Sequence, residues 1–121
     1  MTQEDKNLLF KDLSARLSYH VRLKVWLKDG TTEEGVLDLK HNYGDVLRDA
    51  FYYNEIIDIK PYLFPLSSMT EEQKQEEYKI CKYYINGYES NLIDFYNKNH
   101  LDYRGLIEKG LAIDATGLNI Y

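Results

Sequence analysis

The segment Val21-Arg22-Leu23-Lys24-Val25-Trp26-Leu27-Lys28 alternates apolar and polar residues and runs directly into Asp29-Gly30. A period of two sets Val21, Leu23, Val25 and Leu27 on one face, the mark of a half-buried strand. The Asp-Gly pair tolerates the positive φ of a tight turn and sends the chain back. Three more short apolar segments come before Pro61 and Pro65. The expected body of the chain is therefore a small, strongly bent antiparallel sheet or barrel.

The first hairpin carries a misfit. A two-residue Asp29-Gly30 turn pairs Leu23 with Val36, but it also sets Val25 against Glu34 and Val21 against Asp38, so apolar side chains meet carboxylates. One extra residue in the returning strand brings Leu37 and Leu39 to the core side. Gly35 is the expected place for that bulge, because glycine accepts unusual backbone angles. A bulged, bent second strand suits a small closed barrel. Residues 40–45 then read as a polar loop and 46–53 as a third strand. A strand over 56–59 is expected to end at Pro61, which cannot donate to a ladder.

Helices flank this body. Residues 2–17 form the first, with Thr2 as cap, Asp5 three residues on, and Leu9, Phe10, Leu13 and Leu17 as its apolar stripe. A long second helix is expected over about 71–98, opened by a capping box of either Ser68 with Glu71 or Thr70 with Gln73. Tyr78, Cys81, Ile85, Tyr88, Leu92 and Phe95 make a heptad-like seam, able to pack on the barrel or on a second copy of the chain. Asn86-Gly87 is a place for that helix to kink or split. The organisation expected is one domain, with helix and barrel in residues 1–66 and the long helix and an ordered tail in 67–121 packed on it.

Residues 21–37, with the pattern V-x-L-x-V-x-L-K-D-G-x-x-x-x-G-V-L, resemble the opening motif of Sm-like RNA-binding barrels, which also begin with a helix. The resemblance implies an α+β fold of SH3-like or Sm-like type. It does not extend to the RNA site: where that family places Asp and Asn, this chain has His41 and Asp45, and the later Arg-Gly motif is absent from the last strand, Asn54 to Lys60. Two further stretches resemble a family of small uncharacterised proteins carried by phages and prophages of Bacteroidales gut bacteria. They are Ile59-Lys60-Pro61-Tyr62-Leu63-x-Pro65-Leu66-Ser67-Ser68-Met69-Thr70-Glu71-Glu72 and the tail His100-x-Asp102-Tyr103-Arg104-Gly105-Leu106-Ile107-x-x-Gly110-Leu111-Ala112. That resemblance implies a phage context and no established activity.

Composition narrows the chemistry. A net charge of −5 argues against wholesale phosphate-backbone binding, so nucleic acid is not the expected partner. The single cysteine, Cys81, leaves no internal disulfide and fits a reducing compartment. No apolar run is long enough to span a bilayer, and residues 1–5 lack the features of a signal peptide, so the cytoplasm of the host cell is the expected location. Twelve tyrosines against four phenylalanines and one tryptophan point either to half-buried core edges or to a surface that is apolar and wet at once.

Hydrolase, metalloprotease and P-loop motifs are absent, and His20, His41 and His100 show no metal-ligand spacing. Cys81, in the apolar seam, is expected to be buried and inert. The chain is expected to be no enzyme and to carry no cofactor or metal. In the tail, His100, Asp102, Tyr103 and Arg104 bring a titratable ring, a carboxylate, an aromatic face and a guanidinium together. Structurally, Asp102 accepts from Arg104 or caps a short helix over 105–109, while Leu101, Leu106 and Ile107 anchor the tail. Functionally, Arg104 and Lys109 neutralise a phosphate and Tyr103 stacks on a base, with His100 beside them. His41, Tyr43 and Arg48 form a second candidate cluster. The first expectation is a non-enzymatic phage protein that counters host defence, sequestering a nucleotide second messenger between protomers of a homo-oligomer. The alternatives are an adaptor that binds a host defence protein or a phage protein through the barrel edge or the helical seam, and an Sm-like RNA-binding module.

Overall fold

The computed structural model describes residues 2–37, 56–83 and 88–121, without the side chain of Tyr88. Helix α1 (Gln3–Ala15) begins as expected: Thr2 Oγ1 accepts from the Asp5 amide at 3.1 Å, and the Asp5 carboxylate accepts from the Thr2 amide at 3.3 Å. Leu9 and Leu13 are buried and Phe10 is exposed, while Leu17 falls in a 3-10 turn over Leu17–Tyr19. Strands β1 (Arg22–Leu27), β2 (Thr32–Val36) and β3 (Ile56–Leu63) follow, then α2 (Glu71–Tyr83), α3 (Tyr88–Lys98) and the two-residue β4 (Ile113–Asp114).

The described strands form an open sheet in the order β2-β1-β3-β4. It is mixed and not purely antiparallel as expected, because β4 pairs parallel to β3. The reason is connectivity: β4 reaches the edge of β3 only after the helices, and such a long crossover permits parallel pairing where a tight hairpin cannot. Leu39 and the third strand expected over 46–53 lie outside the described residues.

The outer part of the hairpin misfit is resolved at the turn and not at Gly35: Leu23 pairs with Gly35, while Val25 still faces a carboxylate, Glu33. The Leu27 amide donates to the Thr31 carbonyl at 2.9 Å, and the Gly30 amide to the Leu27 carbonyl at 3.1 Å. Gly30, at φ +88°, is thus the extra residue of a three-residue loop, the commonest setting for a glycine bulge next to a type I turn. Leu37 reaches the core as expected, donating its amide to the Val21 carbonyl at 2.8 Å. A separate irregularity lies between β1 and β3: pairing steps from Trp26 with Asp58 to Leu27 with Ile56, leaving Ile57 unopposed and 65% exposed.

Pro61 does not end its strand, which continues to Leu63. It sits where β3 changes neighbours, opposite Leu23 of β1 and just before Tyr62 meets Ile113 of β4. A proline is tolerated there because one side of the strand has no partner at that residue.

The expected long helix is two helices, with Ile85 and Asn86-Gly87 outside the described residues. Thr70 and Gln73 form its capping box. The pair packs antiparallel: Gln73 Nε2 donates to Asn99 Oδ1 at 3.3 Å and Tyr96 Oη to Glu77 Oε2 at 2.7 Å. Folding back destroys the continuous seam. Ile80 and Phe95 turn inward, whereas Tyr78 and Cys81 are exposed, so the thiol is not the buried one expected.

Two apolar clusters result. The larger joins Leu9 and Leu13 of α1, the inward residues of β1 and β3, Leu37, and Leu106, Leu111 and Ala112 of the tail. The smaller joins Ile80, Phe95 and Leu101, with Phe64, Met69, Leu92 and Tyr96 against it. The tail is stitched to β3 and the residue after it by backbone bonds from the Ala115 amide to the Leu63 carbonyl (2.8 Å) and from the Asp102 amide to the Phe64 carbonyl (2.9 Å).

Candidate functional site

The tail motif folds inward onto α1. Asp102 is buried and accepts from the amides of Leu106 (2.8 Å) and Ile107 (2.9 Å). It therefore caps the following segment, which is a run of turns and not the short helix expected. Of the two partners foreseen for Asp102, the structure selects the backbone over Arg104. Leu101 and Leu106 are fully buried and Ile107 packs on the larger core, so the tail is anchored as expected.

Arg104 reaches a different carboxylate. Its Nε lies 3.6 Å from Asp12 Oδ1, and its side chain is only 15% exposed. Asp12 itself is fully buried and holds Arg16 one turn further along α1, through Nε to Oδ2 at 2.8 Å and Nη2 to Oδ1 at 3.2 Å. Arg16, also fully buried, donates its Nη2 to the Leu101 carbonyl at 2.7 Å and so ties α1 to the tail. The guanidinium carbons of Arg16 and Arg104 lie 5.4 and 4.8 Å from the centre of the Tyr103 ring, within cation–π range. Tyr103 in turn stacks on Tyr96 at 5.3 Å.

Asp12 and Arg16 were not among the sequence candidates, although their signal is present. Leu9, Asp12, Leu13 and Arg16 occupy positions i, i+3, i+4 and i+7, one helical face, so a charged pair shares the stripe of buried leucines. A carboxylate and a guanidinium four residues apart on an apolar face satisfy each other when buried.

His100 stands at the edge of this cluster, at φ +56° and stacked on Tyr121 at 3.8 Å. Burial first, then the charges of Arg16 and His20, push its imidazole down to about 4. A histidine whose folded value lies below its unfolded value of about 6.5 stabilises the fold fully above that pH. The contribution is lost as pH falls toward 4, because the unfolded chain then binds the extra proton. With partial exposure discounted, the expected loss is about 1–2 kcal/mol. Urea midpoints compared between pH 7.5 and 4.5 should therefore fall less in His100→Asn than in the unmodified chain. Asparagine is the chosen replacement because it tolerates the left-handed backbone.

Tyr121 is held by its hydroxyl, which donates to the Tyr62 carbonyl (2.8 Å) and accepts from the Arg22 amide (2.7 Å). Burial raises this phenol to about 12. Tyr62, also pushed up to about 12 by burial and then by Glu34, donates to the Glu34 carboxylate.

Of the residues singled out from sequence, Tyr103, Arg104 and His100 are thus brought together. Lys109 is not with them: it is exposed and lines a depression with Asp5, Ile57, Asp58, Gly110 and Leu111. His41, Tyr43 and Arg48 lie outside the described residues. Among the described residues, no group of three or more His, Cys, Asp or Glu could hold a metal ion. Nor is any described helix long and apolar enough to cross a membrane.

The outward face of α2 is a second candidate. Ten of its thirteen residues are exposed, because only the line Gln73, Glu77 and Ile80 turns toward the body. Two adjacent ridges of i, i+4 neighbours result, Lys74-Tyr78-Lys82 and Gln75-Lys79-Tyr83. Tyr78 is 63% and Tyr83 67% exposed, and the Lys82 ammonium lies over both rings, at 5.6 and 5.4 Å. Lys74, Gln75, Tyr78, Lys79 and Tyr83 outline a shallow groove of about 310 Å³. The comparisons with known proteins place no relative beside this arrangement: no family model, curated protein or solved structure matches the chain.

Proposed function

We propose that this chain is a non-enzymatic binding protein that docks on an acidic partner protein through the outward face of α2. The observation that carries the reading is the pair of exposed tyrosines bracketed by Lys74, Lys79 and Lys82 on a helix held to the body along one narrow line. Tyrosine is, with tryptophan and arginine, among the side chains enriched as interface anchors, since it covers much area with few rotatable bonds. Lys74 is paired with Glu71 at 3.4 Å, whereas Lys79 lines the groove and Lys82 lies over both rings, so these two ammonium groups stand ready for carboxylates on the partner. With the resemblance to phage-borne proteins, the partner is a host defence protein or another phage protein, met in the cytoplasm of the infected cell. The finer architecture belongs to the same reading: a small barrel of SH3-like or Sm-like type around β2-β1-β3, supported by the glycine bulge at Gly30 and the unopposed Ile57.

Sequestration of a nucleotide second messenger is the second reading, and it rests on Tyr103 and Arg104. Their engagement with Tyr96 and Asp12 leaves less of either side chain for a ligand than the two tyrosines of α2 offer. RNA binding has the least support, given the overall negative charge.

A photo-crosslinking residue placed at 78 or 83, in phage-infected cells, tests the docking face. Both positions are expected to give an adduct with the same protein, absent from a control position at Glu108. Lys82→Glu should weaken that complex at least about tenfold, with unchanged urea stability. An adduct of twice the chain mass makes the face a self-association surface and overturns the partner reading, as does the absence of any adduct.

A further inference from the structure

Arg16 and Arg104 converge on one carboxylate oxygen, Asp12 Oδ1, at 3.2 and 3.6 Å. A single carboxylate does not use up two guanidiniums. Arg16 Nη1, in a fully buried side chain, has no hydrogen-bond partner among the described residues, and neither do the buried Nε and Nη1 of Arg104 or the buried hydroxyl of Tyr103, the ring near which both cations lie. Buried donors are almost always satisfied, so four at one place call for an acceptor.

The charges say which kind. Asp12 contributes one negative charge against two positive ones, while the nearby Asp102 carboxylate is committed to the amides of Leu106 and Ile107 and makes no ion pair with either arginine among the described residues. The remaining facing group, the His100 imidazole, adds no negative charge in either protonation state. Among the described residues one positive charge is left over. We infer that the guanidiniums of Arg16 and Arg104, with the Tyr103 hydroxyl, form a binding site for one small univalent anion of the halide class. Arg104 and Tyr103, both half-buried, lie at its rim beside fully buried Arg16 and Asp12. The site does not depend on the docking face of α2.

Thermal unfolding at fixed sodium and ionic strength, with chloride replacing gluconate, tests it. Gluconate matches the charge and is too bulky for a buried site. The melting temperature is expected to rise by about 5 °C once chloride exceeds its dissociation constant tenfold. Chloride-35 NMR should show excess line broadening with the unmodified protein, removed in Arg104→Gln. Tyr103→Phe keeps the ring and is expected to weaken chloride about threefold to tenfold, so it carries the test if Arg104→Gln does not fold. Equal melting temperatures in the two salts overturn the site. An undiminished chloride response in Arg104→Gln and Tyr103→Phe overturns it as well.

Discussion

Asp12→Ala is expected to lower the unfolding free energy by about 3–5 kcal/mol, the range for removing one partner of a buried charge pair. The size follows from what Asp12 leaves behind. Arg16 is fully buried and makes both its charge-assisted bonds along α1 to this carboxylate, and Arg104 has its nearest opposite charge there as well. Without Asp12 two desolvated guanidiniums stand beside the Tyr103 ring with no opposite charge paired to them among the described residues. Asp12→Asn keeps the shape and one acceptor, so its loss should be smaller. Replacing the pair together, as Asp12→Leu with Arg16→Met, should recover much of the loss, since apolar residues of similar volume need no charge partner. Urea unfolding with the slope monitored measures all three; a loss under about 1 kcal/mol for Asp12→Ala contradicts the buried-pair account.

Asp102→Ala comes next, at about 2–4 kcal/mol, because one carboxylate satisfies two amides, one of them on the fully buried Leu106. Asp102→Asn should recover part of this, since its amide nitrogen cannot accept and only one end of the side chain can face the two N–H groups. Hydrogen exchange gives a local readout: the Leu106 and Ile107 amides should lose protection in Asp102→Ala before the β1–β3 ladder does. Equal loss across the whole chain would show that the cap acts only through global stability. The two substitutions also separate two roles of the tail, since Asp12 serves its cations and Asp102 its backbone.

Both predictions concern residues about which the linear chain says unequal amounts. Asp102 was legible as a cap because it precedes Gly105-Leu106-Ile107 at cap-like spacing, and local spacing governs side-chain-to-backbone bonds. The partner of Arg104 was not legible. Asp12 lies more than ninety positions away, and the sequence offers Asp102 as a nearer acceptor. What decided the matter was that two backbone amides had already claimed Asp102. The hairpin shows the same division. That one extra residue must bring Leu37 inward followed from alternation alone, whereas placing it at Gly30 or Gly35 required knowing the hydrogen bonds of the turn.

The periodicities of two and of three to four, the cap Thr2, and the burial of Leu9, Leu13, Val21, Leu23, Val25 and Leu37 were determined by the sequence itself, while the choice of Thr70 over Ser68 as the second cap was left to the structure. Each arises from interactions within a few residues or from the simple exclusion of apolar side chains from water. The antiparallel packing of α2 on α3, the parallel addition of β4, the convergence of Arg16 and Arg104 on Asp12, and the exposure of Tyr78 and Cys81 were decided only by the tertiary structure. An apolar or charged stripe specifies that a helix has a partner, but which stripe is covered depends on what the rest of the chain brings to it.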